Sequence, residues 1–596
     1  MPGAVGLDTQ GMWPLHGIDR RVMGSFRKFI QNSSLARPVR LARLRLVANT
    51  RGHEDWTGLL GRDLSTWHRL RAQAKGGPRV LIATSMGGHF SLNAIDRLLA
   101  VALTVRGAEV TVGLCDGAMT ACQMCEANLF PDRRRFVRRG PAPDLCGYCF
   151  APSARATRAL GLAVAAYGEA LNAADRTVAA DLAVATDAEA IRQFEWRGIP
   201  VGEHALAGAL RFFARGRLDG EPEGDAVLRR YFEASLLAAM ALERIMTRLR
   251  PDVVVAHHGI YVPQGIVAAV ARRHGARVVT WNPAYRTHCF MFSHDDTYHH
   301  TMMTEPISSW ADQPLSDDEA ALIDRYLRSR WYGGNDWIRF HQDPDITLTD
   351  DLTKLGLDPA KPTVLALTNV FWDAQLHYPT NAFASQRDWL IATIRWFVGR
   401  PDLQLIVRVH PAEVSGSPAS RQFAADEIAA AFPALPDNVR VIPPTSPAGT
   451  YHLAQSCDCA VIYATKTGVE LTSVGIPVIV AGEAWIRGKG ITLDALSEED
   501  YLHKLERLPL GRRLSPEVVE RARRYAFHFF FRRMIPLDFV EPRKGPRRFA
   551  TKIGGLTDLR PGASAGLDVI CDGILTGAPF HMPNAAAVAA ASRFGD

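Results

Sequence analysis

The sequence predicts an α/β protein built from two doubly wound domains that face each other across a cleft. In both halves of the chain, short apolar runs that end in glycine or polar residues alternate with amphipathic helical segments. Such runs are typical of buried parallel strands, and the repetition of strand, helix and strand is typical of open parallel sheets. At 596 residues the chain is also longer than a single hydrophobic core usually supports.

The first series of strands and helices begins near residue 77. Residues 80–83 predict a buried strand, residues 92–103 a helix and residues 110–114 a second strand. The same order returns in PDVVVAHHG and the segments after it. We therefore expect an N-terminal domain at 77–320, preceded by a partly ordered extension at 1–76.

A second series follows the first, with strands predicted in KPTVLAL, LQLIVRVHP, NVRVIPP and CAVIYATK. These strands predict a C-terminal domain at 345–535, a linker near 310–350 and a tail at 536–596. Ligands of open α/β sheets bind beyond the carboxyl ends of the strands. The cleft between the domains is therefore the expected site.

The charge and hydropathy of the chain limit its partners and location. The formal net charge is +7 and no nucleic-acid-binding motif accompanies it, so nucleic acid is not expected as a partner. No apolar run is long enough to span a bilayer, and the first residues lack the pattern of a signal peptide. We expect a cytoplasmic protein. YAFHFFFRRM at 525–534 interleaves aromatic and basic residues, which leaves peripheral association with the inner face of the membrane open.

A predicted strand in YATKTGVELTSVG runs into Thr465, Lys466, Thr467 and Gly468, and a short helix follows. Backbone N–H groups at a helix start, with two hydroxyls and an ammonium beside them, predict a phosphate cradle. Glu470 lies about one turn into the helix, where it can accept hydrogen bonds from ribose hydroxyls. An ordinary strand-to-helix turn capped by threonine is the alternative.

Two further groups in this half are candidates for anion binding. Alternation along the strand LIVRVHP points Arg408 and His410 to the same side, where both reach one anionic group. A core histidine or a surface ion pair is the alternative. Arg487 and Lys489 lie between glycines after the next strand and suit a second phosphate or a sugar carboxylate.

The N-terminal half offers candidates for a general base at its predicted strand ends. His89 follows the first strand, Asp116 follows the second, and His258 ends a later one. Each of these side chains is of a type that accepts a proton from a hydroxyl group in general base catalysis.

The cysteines between residues 115 and 149 predict a metal site. Cys122-x-x-Cys125 and Cys146-x-x-Cys149 are separated by twenty residues, which is the spacing of a four-cysteine zinc site. Four thiolates leave zinc no open position, so the predicted site is structural. An iron–sulfur cluster, with Cys115 as a fifth thiol, is the alternative.

Several of these motifs together resemble a known family. WDAQ, RVHPAE, TYHLAQSCD, YATKTGVELTSVGIPVIVAGEAW and RGKGITLD, within residues 345–535, resemble the C-terminal half of bacterial capsule-polysaccharide biosynthesis proteins. That family is similar to the β-Kdo transferases and, more distantly, to other glycosyltransferases of the GT-B fold. CDG with the paired cysteines, GIPVGEHALAGALRFF, HHGIYVPQG and TYHH, within residues 78–310, are similar to surface-glycan synthesis proteins of the same group.

The resemblance implies a GT-B glycosyltransferase of capsule or surface-polysaccharide assembly. It implies a nucleotide-sugar donor in the C-terminal domain, with CMP-Kdo as one candidate, a glycan or glycolipid acceptor in the N-terminal domain, and no catalytic metal. By matching motif, Arg408 and His410 would contact the donor phosphate, residues 465–468 would bind phosphate, and Glu470 would hold the ribose. The cysteine cluster departs from the Kdo transferases. A nucleotide-sugar 2-epimerase and a non-catalytic, zinc-stabilised subunit of a capsule-assembly complex are the alternative functions.

Overall fold

A computed structural model describes residues 37–332, 334, 336–338, 352–373, 378–545 and 547–594. Residues 1–36 of the predicted extension and residues 339–351 of the predicted linker lie outside this described part. The strands are β1 Arg79–Ser85, β2 Glu109–Leu114, β3 Ala163–Ala166, β4 Val253–His257, β5 Arg277–Pro283, β6 Cys289–His294, β7 Thr363–Leu367, β8 Gln404–Arg408, β9 Val439–Ile442, β10 Cys459–Ile462, β11 Val478–Val480, β12 Leu493–Asp494, β13 Ile535–Pro536, β14 Val540–Pro542 and β15 Phe549–Thr551.

The helices of the same described residues connect these strands. They are α1 Arg37–Thr50, α2 Trp56–Leu60, α3 Leu64–Gln73, α4 Phe90–Val105, α5 Arg133–Arg139, α6 Gly147–Ala159, α7 Ala173–Ala185, α8 Ala188–Ile191, α9 Val201–Phe213, α10 Gly224–Leu249, α11 Gln264–Arg273, α12 Tyr298–Thr304, α13 Asp317–Trp331, α14 Gln386–Val398, α15 Ala412–Ser415, α16 Ala424–Ala431, α17 Thr450–Gln455, α18 Thr467–Ser473, α19 Glu498–Leu505, α20 Pro516–Phe527, α21 Ala565–Thr576 and α22 Asn584–Phe594.

The N-terminal sheet has the strand order β13-β6-β5-β4-β1-β2-β3. The strands from β5 to β3 pair in parallel, whereas β6 and β13 add antiparallel strands at one edge. The central strands β1 and β4 are buried almost throughout, because helices cover both faces of the sheet. The strand order reverses between β1 and β4, which places a topological switch point at their carboxyl ends.

The C-terminal sheet has the order β12-β11-β10-β7-β8-β9, and all its pairs are parallel. Its switch point lies between β7 and β10. Two doubly wound parallel domains are therefore present, and the predicted fold class is confirmed.

Both ends of the described chain pack onto the N-terminal domain. Trp56 and Trp67 of the predicted extension are buried, and Trp67 donates its indole N–H to the Leu160 carbonyl at 3.0 Å. At the other end, β13 pairs with β6 and so extends the N-terminal sheet. The predicted domain boundaries stay predictions. The described residues of the tail pack onto the N-terminal domain.

The segment YAFHFFFRRM lies in the core and does not form an interfacial surface. Phe529, Phe530 and Phe531 are fully buried, and Arg533 donates to the carbonyls of Phe580 at 2.7 Å and Phe292 at 3.0 Å. The prediction that this segment lies on a membrane surface is therefore wrong, because its phenylalanine rings are buried and Arg533 is bound by backbone oxygens inside the protein. No helix of the described residues is long and apolar enough to cross a membrane.

Candidate functional site

A small pocket opens at the switch point of the C-terminal sheet, beyond the ends of β7, β8 and β10. Its polar lining consists mainly of threonine hydroxyls and one imidazole, contributed by Thr368, Thr450, Thr465, Thr467 and His410. The sequence predicted three of these groups to meet. Thr368 and Thr450 were missed, because a threonine after a strand or at a helix start is too common to be a signal.

His410 is held in a defined orientation at this pocket. Its backbone N–H donates to Thr368 Oγ1 at 3.0 Å, and its Nδ1 accepts the backbone N–H of Ala412 at 3.0 Å. Because Nδ1 accepts, the ring hydrogen of the neutral imidazole is on Nε2. His410 therefore offers an N–H donor whether the ring is neutral or protonated.

Arg408 lines the same pocket, as predicted, but most of its guanidinium is already used. Nη1 donates to the Pro443 carbonyl at 2.6 Å, and Nη2 donates to the Ser446 carbonyl at 3.1 Å. The buried Nε has no hydrogen-bond partner among the described residues. Burial lowers the pKa of Arg408 to about 10. The predicted bidentate phosphate contact is thus reduced to the Nε–H group, because the loop before α17 takes the other donors.

The predicted phosphate cradle is partly closed by its own threonines. Thr465 Oγ1 accepts the backbone N–H of Thr467 at 3.4 Å and lies 3.3 Å from Thr467 Oγ1. α18 spans only seven residues, Thr467–Ser473. Gly468 is required by packing, since an added Cβ would lie 2.9 Å from Ile462 Cδ1. The two hydroxyls face the pocket, whereas Gly468 belongs to the core beneath it.

Lys466 and Glu470 do not face the pocket but form a buried ion cluster with Arg330. Glu470 Oε1 accepts from Lys466 Nζ at 2.5 Å and from Arg330 Nε at 3.0 Å, while Oε2 accepts from the hydroxyl of Tyr451. Arg330 also pairs with Asp336. Glu470 therefore cannot hold a ribose as predicted without breaking these bonds, and Lys466 is not available to a phosphate.

Charge compensation decides the protonation of this cluster. Burial raises the pKa of Glu470, but Arg330 and Lys466 outweigh it, and the net effect is a lowered pKa. Burial lowers the pKa of Lys466 to about 8. Its ammonium also lies 4.6 Å from the ring centre of Tyr285, which belongs to the N-terminal domain. The cluster thus joins the two domains.

Arg487 and Lys489 also differ from their predicted role, because both bind backbone carbonyls. Arg487 Nη2 donates to the Ala495 carbonyl at 2.6 Å and so fixes its own loop. Lys489 Nζ is buried and donates to the Met303 carbonyl at 2.9 Å, at the end of α12. A cation at the C-terminus of a helix is favourable, which accounts for this position. Neither side chain lines the pocket.

The predicted bases of the N-terminal domain lie at the ends of its central strands. His89 precedes α4, and its ring centre lies 6.4 Å from that of His257. Asp116 Oδ1 accepts the backbone N–H of Gly168 at 2.9 Å, so this carboxylate also stabilises a turn. His258 lies buried beside Tyr261, with 5.6 Å between the ring centres.

The two domains meet where Tyr261 contacts the loop after β7. Tyr261 donates its hydroxyl to Asp373 Oδ1 at 3.0 Å, and Asp373 belongs to the loop that begins with Thr368. Burial raises the pKa of Asp373. His258 and Tyr261 both have positive φ, at 64° and 66°. Strained backbone of this kind in residues other than glycine clusters at functional sites. This signal is absent from the sequence.

The cysteines come together in the N-terminal domain. Cys115, Cys122, Cys146 and Cys149 line one cavity, whereas Cys125 lies buried behind Cys122 with 3.9 Å between their sulfurs. In tetrahedral zinc thiolate sites the sulfurs are about 3.8 Å apart. Among the described residues no three cysteine sulfurs lie within 4.8 Å of one another. The zinc site stays a prediction, and its Cys122–Cys125 pair has the sulfur spacing that zinc requires.

A second buried ion network ties the tail to α12. Glu305 Oε2 lies 3.0 Å from His528 Nε2 and 3.7 Å from Arg533 Nε, and the other oxygen contacts His581. These two histidines and Glu305 bring three ligand-type atoms within 4.8 Å. Arg533 and the nearby Lys489 already compensate the carboxylate, so the group is a structural ion network.

This network predicts that stability falls as the pH is lowered through the range of histidine titration. Burial lowers the pKa of His528 from 6.5 to about 4, against the opposing effect of Glu305. Between pH 6.5 and 4 the unfolded chain binds a proton that the folded chain does not, so the free energy of unfolding decreases by about 3 kcal/mol. Denaturant unfolding over this pH range should show that the free energy of unfolding depends less steeply on pH in His528→Gln than in the unaltered protein. The exposed His503→Gln serves as the control and should behave like the unaltered protein; equal slopes for all three proteins would contradict this assignment.

Comparison with known proteins finds a family model that matches part of the C-terminal half. The family model described as "Capsule polysaccharide biosynthesis protein" matches residues 339–514, which include the pocket and all the strands of the C-terminal sheet. The resemblance predicted from the sequence is confirmed for this segment. A comparison with curated proteins finds no match.

Solved structures give more distant likenesses. The chain is similar to Thermosulfurimonas dismutans KpsC, beta Kdo 2,4 transferase, with 14% identity, a TM-score of 0.33 and coverage of 52% of this chain and 87% of that one. It is also similar to the UDP-GlcNAc 2-epimerase from Neisseria meningitidis, with 10% identity, a TM-score of 0.25 and coverage of 49% and 79%. It is similar as well to the spinosyn rhamnosyltransferase SpnG, with 12% identity, a TM-score of 0.22 and coverage of 75% of this chain and 95% of that one. At these TM-scores the likenesses carry no argument about activity.

Proposed function

We propose that this protein is a GT-B glycosyltransferase that transfers a sugar from a nucleotide-sugar donor to a capsule or surface-polysaccharide acceptor. The observation that carries the proposal is the match of residues 339–514 to capsule-polysaccharide biosynthesis proteins, together with the polar pocket that the same residues form at the switch point of their sheet. Ligands of doubly wound sheets bind at such points.

The pocket suits an anionic group of a donor. His410 presents an N–H donor, the threonines present hydroxyls, and the buried Nε–H of Arg408 lacks a partner among the described residues. A buried donor without a partner costs free energy, which an oxygen of a bound phosphate would recover. These groups would also stabilise the charge that develops on the departing nucleotide phosphate, which is usually a large catalytic contribution.

The acceptor would approach from the N-terminal domain, where His258 and Tyr261 adjoin the loop that carries Thr368 and Asp373. Asp373 is buried and its pKa is raised, so it is a carboxylate that takes up a proton more readily than an exposed aspartate. We include Asp373 with His89, Asp116 and His258 among the residues that would orient or deprotonate the acceptor hydroxyl. No metal is required for this arrangement.

The test is product analysis of purified protein with nucleotide sugars, in the presence and absence of glycan or glycolipid acceptors. We expect sugar transfer that requires the acceptor, with release of the nucleotide. Conversion of the nucleotide sugar to an isomer without any acceptor would identify an epimerase instead. Binding of no nucleotide and no turnover with any donor would favour a non-catalytic subunit of an assembly complex.

A further inference from the structure

The cavity at the carboxyl end of the N-terminal sheet is lined by four cysteines from three separate segments. Cys115 directly follows β2, Cys122 lies in the following loop, and Cys146 and Cys149 flank the start of α6. The rest of the lining is largely apolar and includes Met86, Met119, Met124, Leu145, Tyr148 and Pro263. Soft sulfur ligands in an apolar shell are the environment of a thiolate-bound metal centre.

A backbone amide points at one of these sulfurs. Gly88 donates its N–H to Cys149 Sγ at 3.0 Å. The backbone amides of Met119 and Gly117 oppose the effect of burial on the pKa of Cys115. The thiol of Cys125 and the backbone amides of Met124 and Cys125 lower the pKa of Cys122. Hydrogen bonds of this kind favour the ionised sulfur over the thiol.

The close approach of the backbone to the cavity depends on glycine. Gly117 has φ of +96°, and an added Cβ would lie 3.3 Å from the Cβ of Cys146. An added Cβ at Gly87 would lie 2.1 Å from the carbonyl oxygen of Cys149. A side chain at Gly87 would force apart the two segments that meet there, and one at Gly117 would strain the backbone because of its positive φ. The glycines thus hold the sulfurs around the cavity.

The arrangement of the sulfurs distinguishes between a single ion and a cluster. One zinc ion draws four sulfurs to about 3.8 Å from one another. The cysteine sulfurs of the described residues instead surround a cavity, and no three of them lie within 4.8 Å of one another. A four-iron cluster occupies the space between its thiolates, so its sulfurs stand farther apart than those of a mononuclear site. Cys125, which completes the predicted zinc set, does not line the cavity.

We propose that Cys115, Cys122, Cys146 and Cys149 bind a [4Fe–4S] cluster in this cavity, and that Cys125 is a buried neighbour and not a ligand. Burial raises the pKa of Cys115 to about 11 and also raises the pKa values of Cys146 and Cys149. The cluster supplies the positive charge that offsets this cost when the thiols lose their protons. The inference stands apart from the proposed transferase activity.

The experiment is anaerobic purification of the full chain, followed by iron, zinc and acid-labile sulfide analysis and by EPR spectroscopy after reduction with dithionite. We expect equal amounts of iron and sulfide, about four of each per chain. Reconstitution with ferrous iron and sulfide should restore the same content in protein purified in air. The composition of the unaltered protein decides between iron and zinc, whether or not a cysteine variant folds.

Two matched variants then test the ligand set. Cys115→Ala should lose the cluster, whereas Cys125→Ala should keep it with an unchanged EPR signal. About one zinc per chain, retained in Cys115→Ala and lost in Cys125→Ala, would overturn the proposal in favour of the zinc site. Failure of the unaltered protein to hold iron and sulfide after reconstitution would overturn it as well.

Discussion

Arg330→Ala should reduce the free energy of unfolding by about 3–5 kcal/mol, because it leaves the buried carboxylate of Asp336 without its cation and removes one of the two cations beside Glu470. Arg330 is the partner of both Glu470 and Asp336, and the side chains of those two acids are only 2% and 4% exposed. Lys466 remains beside Glu470, whereas Asp336 loses its ion pair with Arg330. We expect calorimetry to give a melting temperature several degrees lower for Arg330→Ala than for the unaltered protein. We also expect a lower yield of soluble protein for the variant.

The control for this variant is Arg328→Ala, an exposed arginine on the same helix, α13. It should change stability by less than about 0.5 kcal/mol. Adding Asp336→Asn to Arg330→Ala should restore part of the loss, because the uncompensated charge is then removed. If Arg330→Ala is as stable as Arg328→Ala, the ion cluster does not join the domains as described.

His410→Ala should lower the turnover of sugar transfer by about 10²–10³-fold, since removal of one donor to a developing negative charge has effects of this size. The backbone N–H of Ala412 fixes the imidazole, and Thr368 binds the backbone N–H of His410, so the ring is already oriented before the donor substrate binds. His410→Gln retains a side-chain N–H donor and should recover part of the turnover. The measurement is the initial rate of transfer at saturating donor and acceptor.

His503→Ala provides the matched control, because its side chain is 80% exposed on α19 of the same domain. Its turnover should equal that of the unaltered protein. Unfolding curves of all three variants separate loss of activity from loss of structure. Full turnover in His410→Ala would rule out the role that we assign to this side chain.

The central strands of both sheets and their order along the chain could be predicted from the sequence, since each is a short apolar run with a polar end. The hydrogen-bond partners of the charged residues could not be predicted. Arg408 lies on the predicted side of β8, but periodicity does not reveal that the carbonyls of Pro443 and Ser446 take its donors. Glu470 is bound by Arg330, which is 140 residues away in the chain, and no local sequence pattern predicts such a pair.

The segment at 525–534 shows how the same composition fits two environments. Aromatic and basic residues alternate both in interfacial helices and in cores where an arginine is bound by carbonyls. Phe529, Phe530 and Phe531 are consecutive, however, and three consecutive residues cannot share one face of a helix. This pattern already argues for burial on all sides, and the structure has all three rings in the core.

The most direct test of a donor-binding pocket is a thermal-shift panel of CMP, UDP, GDP and dTDP, with their sugars, on the unaltered protein, His410→Ala and His503→Ala. A ligand at about 100 times its Kd stabilises the folded state by roughly 2.7 kcal/mol. We predict that one nucleotide raises the melting temperature of the unaltered protein and of His503→Ala, and that the shift is lost or much reduced in His410→Ala. An equal shift in all three proteins, or no shift with any nucleotide, would contradict the assignment of this pocket to the donor.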